Sequence, residues 1–248
     1  MSGALQLRFL GCGDAFASGG RFNTCFLVEA EDDAFLIDCG ASSLVAMRRF
    51  GVDPNRIGKV FVSHLHGDHF GGLVFFLLDA QHVSRRQRPL TIAGPKGLAD
   101  RLKSAREALF PGASERPLRF ELTLRELDIG RRDVVDGVAV TPFAADHASG
   151  APSLALRLEA AGRTIAYSGD TAWTDALIGA ARGADIFVCE ASFRGRKVTG
   201  HMDVDDLLAH LGEIGAARVF LTHMGDEVLR QPAPAGTSKA EDGLVVPL

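Results

Sequence analysis

The stretch His64-Leu65-His66-Gly67-Asp68-His69 places three imidazoles and one carboxylate within six positions, one residue after an apolar run at residues 60–62. Imidazole nitrogens and carboxylate oxygens are ligands that zinc, manganese and iron accept in proteins. In an extended segment, side chains two positions apart point to the same side, so His64 and His66 can bind one cation. Asp68 and His69 lie past the turn and can face a second cation. Because the chain has only eight histidines, three of them in this hexapeptide predict a metal site.

The hexapeptide resembles the HxHxDH signature of the metallo-β-lactamase superfamily. That superfamily takes its remaining ligands from three later loops, each after a strand, and this chain offers one segment for each: Asp146-His147, Ser168-Gly169-Asp170-Thr171 and Thr222-His223. The resemblance covers nearly the whole chain. It implies two divalent cations with these ligands: His64, His66 and His147 at the first metal, and Asp68, His69 and His223 at the second, with Asp170 bridging.

Periodicity and turn residues predict an α/β fold. Strands are predicted at residues 5–10, 24–30, 34–38, 59–62, 90–93, 118–124, 138–143, 153–158, 163–167, 186–188, 218–221 and 244–246, with a short one at 134. Helices are predicted at residues 42–50, 70–78, 97–109, 173–181 and 204–214, and an acidic turn at Glu31-Asp32-Asp33. The strands form two clusters, each with helices, and no Pro- or Ser-rich linker divides them. We therefore expect one domain over residues 1–248, with two mixed sheets packed face to face and helices outside; the resemblance implies the same four-layer αβ/βα sandwich.

The composition of the chain argues against several classes of protein. The chain has 248 residues, 46% hydrophobic content and a net charge of −4, which does not favour a general nucleic-acid or membrane binder. The first residues lack a basic segment followed by an apolar one, so no signal peptide is predicted. The apolar stretch at residues 73–78 is too short to span a bilayer. Four scattered cysteines without a CxxC pair favour reduced thiols and a cytoplasmic protein, although one disulfide stays possible.

The bridging-ligand loop narrows the chemistry. Common di-zinc β-lactamases place a cysteine ligand at the second metal, whereas Ser168-Gly169-Asp170-Thr171 contains none, which argues against a dedicated β-lactamase. Oxygen ligands suit phosphate-ester substrates and admit Mn²⁺ or Fe²⁺ besides Zn²⁺. A hydroxide bridging two cations would be the nucleophile at neutral pH, and Asp68 would help to orient it.

Two further segments, Cys189-Glu190-Ala191-Ser192-Phe193 and Thr199-Gly200-His201-Met202-Asp203, resemble the Glu and His motifs of the ribonuclease Z-like branch. The resemblance implies that His201 lies near the transferring phosphate, where it stabilises charge or protonates the leaving oxygen, and that Glu190 orients it. Asp203 is a candidate N-cap for the following helix. Between the two segments, the basic run Arg194-Gly195-Arg196-Lys197 is either a solvated face or an anion-binding segment.

The expected size of the substrate follows from a missing insertion. Ribonuclease Z carries a long tRNA-clamping arm between the third metal histidine and the bridging aspartate. Here only 22 residues separate His147 from Asp170, and a predicted hairpin occupies them. A small anionic phosphodiester, such as a cyclic nucleotide or short dinucleotide, is therefore expected rather than tRNA. The resemblance also suggests a homodimer, although no predicted helix marks an interface.

Two other functions remain open at this stage. A hydrolase of a lactone, thioester or amide would be favoured by an apolar pocket lined by Phe16, Phe22 and Trp173, together with a basic run that contacts no substrate. A non-catalytic binding protein with a relict metal site is disfavoured, because all seven ligands are present. The glycine-rich loop at residues 11–20 is not a P-loop; it is either a tight connection or a cover for the site. Arg21 and Asn23, which follow it, are candidate substrate contacts.

Overall fold

The computed structural model describes residues 5–31 and 33–248. Residues 1–4, at the start of the chain where no signal peptide was predicted, lie outside the described residues. So does Asp32 of the predicted acidic turn. The strands are β1 Gln6–Gly11, β2 Cys25–Glu29, β3 Ala34–Ile37, β4 Ile57–Phe61, β5 Leu90–Gly94, β6 Leu122–Glu126, β7 Asp133–Val135, β8 Val138–Ala144, β9 Leu154–Ala160, β10 Arg163–Tyr167, β11 Ile186–Glu190, β12 Val219–Thr222, β13 Ser238–Lys239 and β14 Val245–Pro247. The helices are α1 Ser43–Arg49, α2 Gly67–Phe70, α3 Gly72–His82, α4 Leu98–Leu109, α5 Ala176–Ala181, α6 Val204–Ala209, α7 Leu211–Ile214 and α8 Asp226–Arg230.

The strands form two seven-stranded sheets, in the orders β14-β1-β2-β3-β4-β5-β6 and β13-β12-β11-β10-β9-β8-β7. In the first sheet, the pairs from β14 to β3 are antiparallel and those from β3 to β6 are parallel. In the second sheet, the pairs from β7 to β10 are antiparallel and those from β10 to β13 are parallel. Both sheets are mixed, as predicted.

The two sheets share an inner core, because strands buried on both faces send alternate side chains to opposite sides. In β2, Phe26 faces the inner core, where its ring centroid lies 5.2 Å from that of Tyr167 on β10. The neighbouring Leu27 belongs instead to the outer core beneath α1, α3 and α4. A second outer core joins the other sheet to α5, α6, α7 and α8. This arrangement confirms the predicted four-layer αβ/βα sandwich.

Several predicted boundaries were wrong. The helix predicted at 70–78 begins instead at Gly72 and continues to His82 as α3, and Phe70 is the last residue of the separate short helix α2. The predicted helix at 204–214 is interrupted at His210, whose ring stacks on Trp173 with centroids 4.1 Å apart. The predicted strand at 118–124 begins only at Leu122, and the helix predicted at 173–181 begins only at Ala176. The short α8 and β13 were not predicted, because five and two residues are too few to show a periodicity.

The four cysteines, Cys12, Cys25, Cys39 and Cys189, are all buried and unpaired. The structure therefore contains no disulfide among the cysteines, all of which lie in its described part. None of the helices formed by residues 5–31 and 33–248 combines the length and the apolar composition needed to cross a bilayer.

A close backbone contact holds the metal motif against the first sheet. The loop after β3 meets the loop after β4, where the Cys39 N–H donates to the His69 carbonyl oxygen at 2.7 Å. A Cβ atom at Gly40 would lie 2.0 Å from the Asp68 carbonyl oxygen, and one at Gly72 would lie 2.0 Å from the Gly40 carbonyl oxygen. Only glycine allows the two loops to approach so closely.

We expect Gly40→Ala to lower the free energy of unfolding by more than about 2 kcal/mol, because backbone must move to admit the methyl group. Gly58→Ala is the matched control, since the nearest atom to a Cβ there is the Ala34 carbonyl oxygen at 3.9 Å; we expect it to change stability by less than about 1 kcal/mol. Urea unfolding followed by circular dichroism measures both. Equal effects of the two substitutions would contradict the close-packing argument.

Candidate metal centre

The candidate residues converge at one edge of the sandwich because each follows the end of a strand. The hexapeptide follows β4, His147 follows β8 and Asp170 follows β10. Glu190 is the last residue of β11, and His223 comes directly after β12. Strands that run the same way within a sheet end at the same edge, so loops distant in sequence meet there.

The first ligand set is His64, His66 and His147. Their donor atoms lie within 4.8 Å of one another. His147 Nε2 lies 3.0 Å from His66 Nδ1, and the ring centroids of His64 and His147 are 4.8 Å apart. His64 is buried, whereas His66 and His147 are half-buried. Three imidazoles that point at one space are a donor set that zinc accepts.

The second set is Asp68, His69, Asp170 and His223, whose donor atoms also lie within 4.8 Å of one another. Asp68 Oδ2 lies 3.3 Å from His69 Nε2 and 3.2 Å from His223 Nε2. Ligand atoms about 2.0–2.1 Å from a tetrahedral zinc ion are separated by roughly 3.3 Å. The separations here are therefore those of atoms that can share a cation.

Asp170 lies between the two sets. Its Oδ2 is 3.8 Å from His64 Nε2 of the first set and 3.4 Å from His223 Nε2 of the second. Its Oδ1 is 3.2 Å from His69 Nε2. A carboxylate placed this way can bind one cation through each oxygen.

The donor atoms fit bound cations better than they fit one another. Among residues 5–31 and 33–248, six buried side-chain polar atoms lack a hydrogen-bond partner, and three belong to this cluster: His64 Nε2, His69 Nε2 and Asp170 Oδ1. His69 Nε2 and Asp170 Oδ1 are near neighbours, yet they do not meet in hydrogen-bonding geometry. Buried polar atoms without partners cost free energy, and a pair of divalent cations would satisfy all three.

Outer hydrogen bonds leave the Nε2 atoms of these imidazoles free to ligate. His147 Nδ1 donates to the Gly200 carbonyl oxygen at 2.8 Å. His223 Nδ1 lies 3.0 Å from Ser192 Oγ, and that hydroxyl donates in turn to Glu190 Oε1 at 2.6 Å. Partners of this kind select the ring tautomer and the orientation of a metal ligand.

Sequence analysis did not identify Asp38, which performs the same role for His69. The buried Asp38 carboxylate accepts from His69 Nδ1, from the Ser63 N–H and from Ser63 Oγ, each at 2.7 Å. Its backbone is in the left-handed region, with φ of 58°, a conformation that costs free energy in a residue other than glycine. In the sequence, the only indication of this role was an acidic residue at the end of the apolar strand predicted at residues 34–38.

Electrostatics within the cluster are strongly coupled. Burial alone would raise the pKa of Asp68, but the hydrogen bond from His223 and the charge of the adjacent His69 outweigh it and hold that pKa far below its ordinary value. Burial lowers the pKa of His223, but the adjacent Asp170 and Asp68 raise it to about 9. Burial and the neighbouring His69 lower the pKa of His64 well below its ordinary value. The site therefore mixes neutral and charged imidazoles around buried carboxylates.

Glu190 and His201 form a dyad beside the cluster. His201 Nδ1 lies 2.5 Å from Oε1 of the fully buried Glu190. The other carboxylate oxygen, Oε2, accepts from the Thr171 N–H at 2.5 Å. The ring centroid of His201 is 4.9 Å from that of His147 and 6.1 Å from that of His223. Asp170, Glu190, His201 and His223 also form a group of possible ligands, so His201 is within reach of the metal site.

The other candidate contacts either have packing or hydrogen-bond partners outside the two ligand sets or are exposed. Phe22 packs against Phe50 in the outer core of the first sheet, and Trp173 packs in the outer core of the second. Arg21 Nη1 donates to the Ala240 carbonyl oxygen, and Asn23 Nδ2 donates to that of Asp14. Of the expected apolar lining, Phe16 is exposed and the other two side chains pack in the outer cores.

Comparisons with known proteins agree with this geometry. The family model described as "Anti-Pycsar protein Apyc1" matches residues 5–242. Ribonuclease Z of Mycobacterium bovis (strain BCG / Pasteur 1173P2) is 30% identical over 193 residues, covering 74% of this chain and 69% of that protein. Ribonuclease Z of Treponema denticola is 34% identical over 123 residues, covering 50% of this chain but only 38% of that protein. The structure of human tRNase Z, short form, has a TM-score of 0.78 and 25% identity, covering 97% of this chain and 98% of that one. The predicted metallo-β-lactamase fold and ribonuclease Z-like relationship are confirmed.

We expect Asp38→Asn to weaken metal binding about 10- to 100-fold. An amide nitrogen facing His69 Nδ1 would favour the tautomer that is protonated on Nε2, which cannot ligate. Competition with a chromogenic chelator measures the affinity. Asp128→Asn, at an exposed carboxylate paired with Lys96, is the control and should leave the affinity unchanged. Wild-type affinity in Asp38→Asn would show that the carboxylate does not orient His69.

We expect the metal affinity to rise with pH up to about 9, because the proton on His223 must leave before that ring can ligate. The stability of the metal-free protein changes with pH in the opposite direction to the metal affinity. The raised pKa of His223 contributes stability that is complete below its unfolded value of about 6.5 and is lost as the pH rises through about 9. Titration calorimetry in buffers of different ionisation enthalpy measures the protons released. Release of no protons at pH 7 would contradict the assignment of His223.

Proposed function

Because the chain belongs to the family described as anti-Pycsar protein Apyc1 and has the metallo-β-lactamase fold, we propose that it is a metal-dependent phosphodiesterase that acts on small phosphodiesters such as cyclic nucleotides. The observation that carries the proposal is the Glu190–His201 dyad beside two convergent ligand sets. We propose His64, His66 and His147 as ligands of one cation, Asp68, His69 and His223 as ligands of the other, and Asp170 as the bridge. Zinc fits the imidazole-rich set, and the carboxylates admit manganese or iron.

The chemistry divides between the cations and the dyad. When bound, the two cations would activate water and neutralise the negative charge that develops on the phosphate oxygens of the substrate. Asp68 has a second oxygen available to orient a nucleophile, since Oδ2 is the atom that faces His69 and His223. The low pKa of Asp68 keeps its carboxylate ionised throughout the neutral range.

His201 is placed to act as a general acid. Burial lowers its pKa, but the hydrogen bond and charge of Glu190 raise it above the ordinary value. More of the imidazolium is therefore present at neutral pH, and Nε2–H can donate to the leaving oxygen while Nδ1–H stays with Glu190. The Thr171 N–H fixes the other oxygen of Glu190, so the dyad keeps one orientation.

The proposed size of the substrate rests on the segment between His147 and Asp170. Strands β9 and β10 occupy it, and both lie inside the second sheet between β8 and β11. The segments that join these strands within residues 148–169 are short, so this described stretch offers no length for a tRNA-binding arm. A small phosphodiester is accordingly proposed over tRNA.

The alternatives have less support. Phe22 and Trp173 pack in the outer cores, which removes two of the three apolar side chains that would favour a lactone or thioester substrate. A relict binding site is disfavoured by seven ligand side chains whose donor atoms still converge. One domain, a homodimer and a cytoplasmic location stay predictions.

We expect metal-loaded protein to prefer an activated phosphodiester over a phosphomonoester, a lactone, a thioester and a chromogenic lactam. Turnover of each compound at equal concentration measures the preference. A higher rate with the lactone or the thioester would replace the proposed reaction class while leaving the ligand assignments intact.

We expect His201→Ala to reduce kcat by about 100-fold or more while metal content, measured by elemental analysis, stays near that of the wild type. His82→Ala, at an exposed histidine of α3, is the control and should retain both turnover and metal. Parallel loss of metal and turnover in His201→Ala would instead make His201 a ligand or a structural residue.

A further inference from the structure

The basic run Arg194-Gly195-Arg196-Lys197 divides into bound and free cations. Arg194 Nε lies 3.2 Å from Asp205 Oδ1, and its Nη1 donates to Gln231 Oε1 at 2.7 Å. Lys197 Nζ lies 3.1 Å from Asp206 Oδ1. Both partner carboxylates belong to the first turn of α6. Arg194 and Lys197 therefore form ion pairs with the helix that follows, α6.

Arg196 has a different environment. Within the described ranges its guanidinium forms no hydrogen bond and no ion pair; it lies over the ring of Phe193, with Cζ 4.4 Å from the centroid. The side chain is exposed. A cation–π contact holds a guanidinium in place but leaves its N–H donors available. Arg196 is thus a positioned cation with unused hydrogen-bonding capacity.

Phe193 connects this cation to the proposed catalytic dyad. Its ring centroid lies 6.0 Å from that of His201, at an interplanar angle of 83°. The guanidinium carbon of Arg196 is therefore no farther from the His201 ring centre than the sum of these two separations. A substrate whose phosphate lies at His201 would extend its remaining part over this surface.

The loop that presents Arg196 is held at both ends. The Phe193 N–H donates to the Met202 carbonyl oxygen at 3.2 Å, and the Val204 N–H donates to that of Phe193 at 2.8 Å. Asp203, whose Oδ1 accepts from the Gly195 N–H at 3.1 Å, also caps α6. The loop therefore has a defined shape, and a binding surface on it would be largely preformed.

We propose that Phe193 and Arg196 form the subsite for the nucleobase of a nucleotide phosphodiester. This inference rests on the proposed function and specifies the part of the substrate that lies away from the scissile bond. The guanidinium donates to the acceptor atoms on the edge of the base, a pairing that the planar fork of arginine suits. Phosphate recognition is already supplied by the metal site, so an unpaired arginine beyond Phe193 serves selectivity among phosphodiesters.

The test compares Arg196→Ala with Lys197→Ala on two substrates, a 3′,5′-cyclic nucleotide and methyl 4-nitrophenyl phosphate, which carries no nucleobase. For Arg196→Ala we expect the ratio of kcat/KM for the nucleotide to that for the base-free ester to fall about 10-fold, mainly through KM. Lys197→Ala removes an equal charge from the same run and should keep the wild-type ratio. Arg196→Lys should recover only part of the loss, because it restores charge without the fork.

The outcomes separate this inference from the proposed function. Equal loss on both substrates, or an equal change in Lys197→Ala, would overturn the nucleobase subsite. Calorimetric binding of a phosphorothioate cyclic nucleotide to the metal-loaded protein supplies a readout without turnover. If the wild type hydrolyses neither ester but Arg196→Ala weakens this binding about 10-fold and Lys197→Ala does not, the proposed reaction fails and the subsite stands. No binding by the wild type would overturn the subsite.

Discussion

A buried carboxylate surrounded by imidazoles determines how the rest of the molecule is arranged. Asp170 is 2% exposed, and His64, His69 and His223 lie around it. Removing such a charge from water is costly unless opposite charges meet it. Those partners come from different loops, so the loops must close together. Left-handed backbone at Asp38 and His223, with φ of 58° and 55°, is tolerated because hydrogen bonds on every side hold both residues in place.

The metal site also joins two halves that repeat one pattern. From β14 to β6 and from β7 to β13, three antiparallel pairs precede three parallel ones. The hexapeptide comes from the first half, and His147, Asp170 and His223 come from the second. Each ligand set contains residues from both halves. Bound cations would therefore stabilise the packing of one sheet against the other as well as provide the reaction centre.

Much of the site could be predicted because its residues follow apolar strands at recognisable positions. The donor atoms of the seven ligand candidates converge in two groups, and Glu190 contacts His201, while the roles of these residues stay predictions. Asp38 could not be found in this way, since one acidic residue after a strand is common and its contact with His69 is tertiary. The break between α2 and α3 was also missed: the pair Gly71-Gly72 lies at it, but the close approach of Gly72 to Gly40 becomes visible only in three dimensions. The division of the basic run into paired and unpaired cations depended on the position of α6.

The ends of the fold meet beside the second ligand set. Asp242 accepts from the Cys12 N–H at 3.0 Å and from the Phe22 N–H at 2.8 Å, and the Cys12 carbonyl oxygen accepts from the His223 N–H at 3.0 Å. Strand β14 then pairs with β1. On the ribosome, the amino-terminal strands emerge long before these partners. A nascent chain can bury the outer core of its first sheet early, yet the contacts at the candidate metal-binding edge form only after Asp242 has been synthesised. A cation at this edge would therefore be bound only after segments from both halves of the fold had been synthesised and packed together.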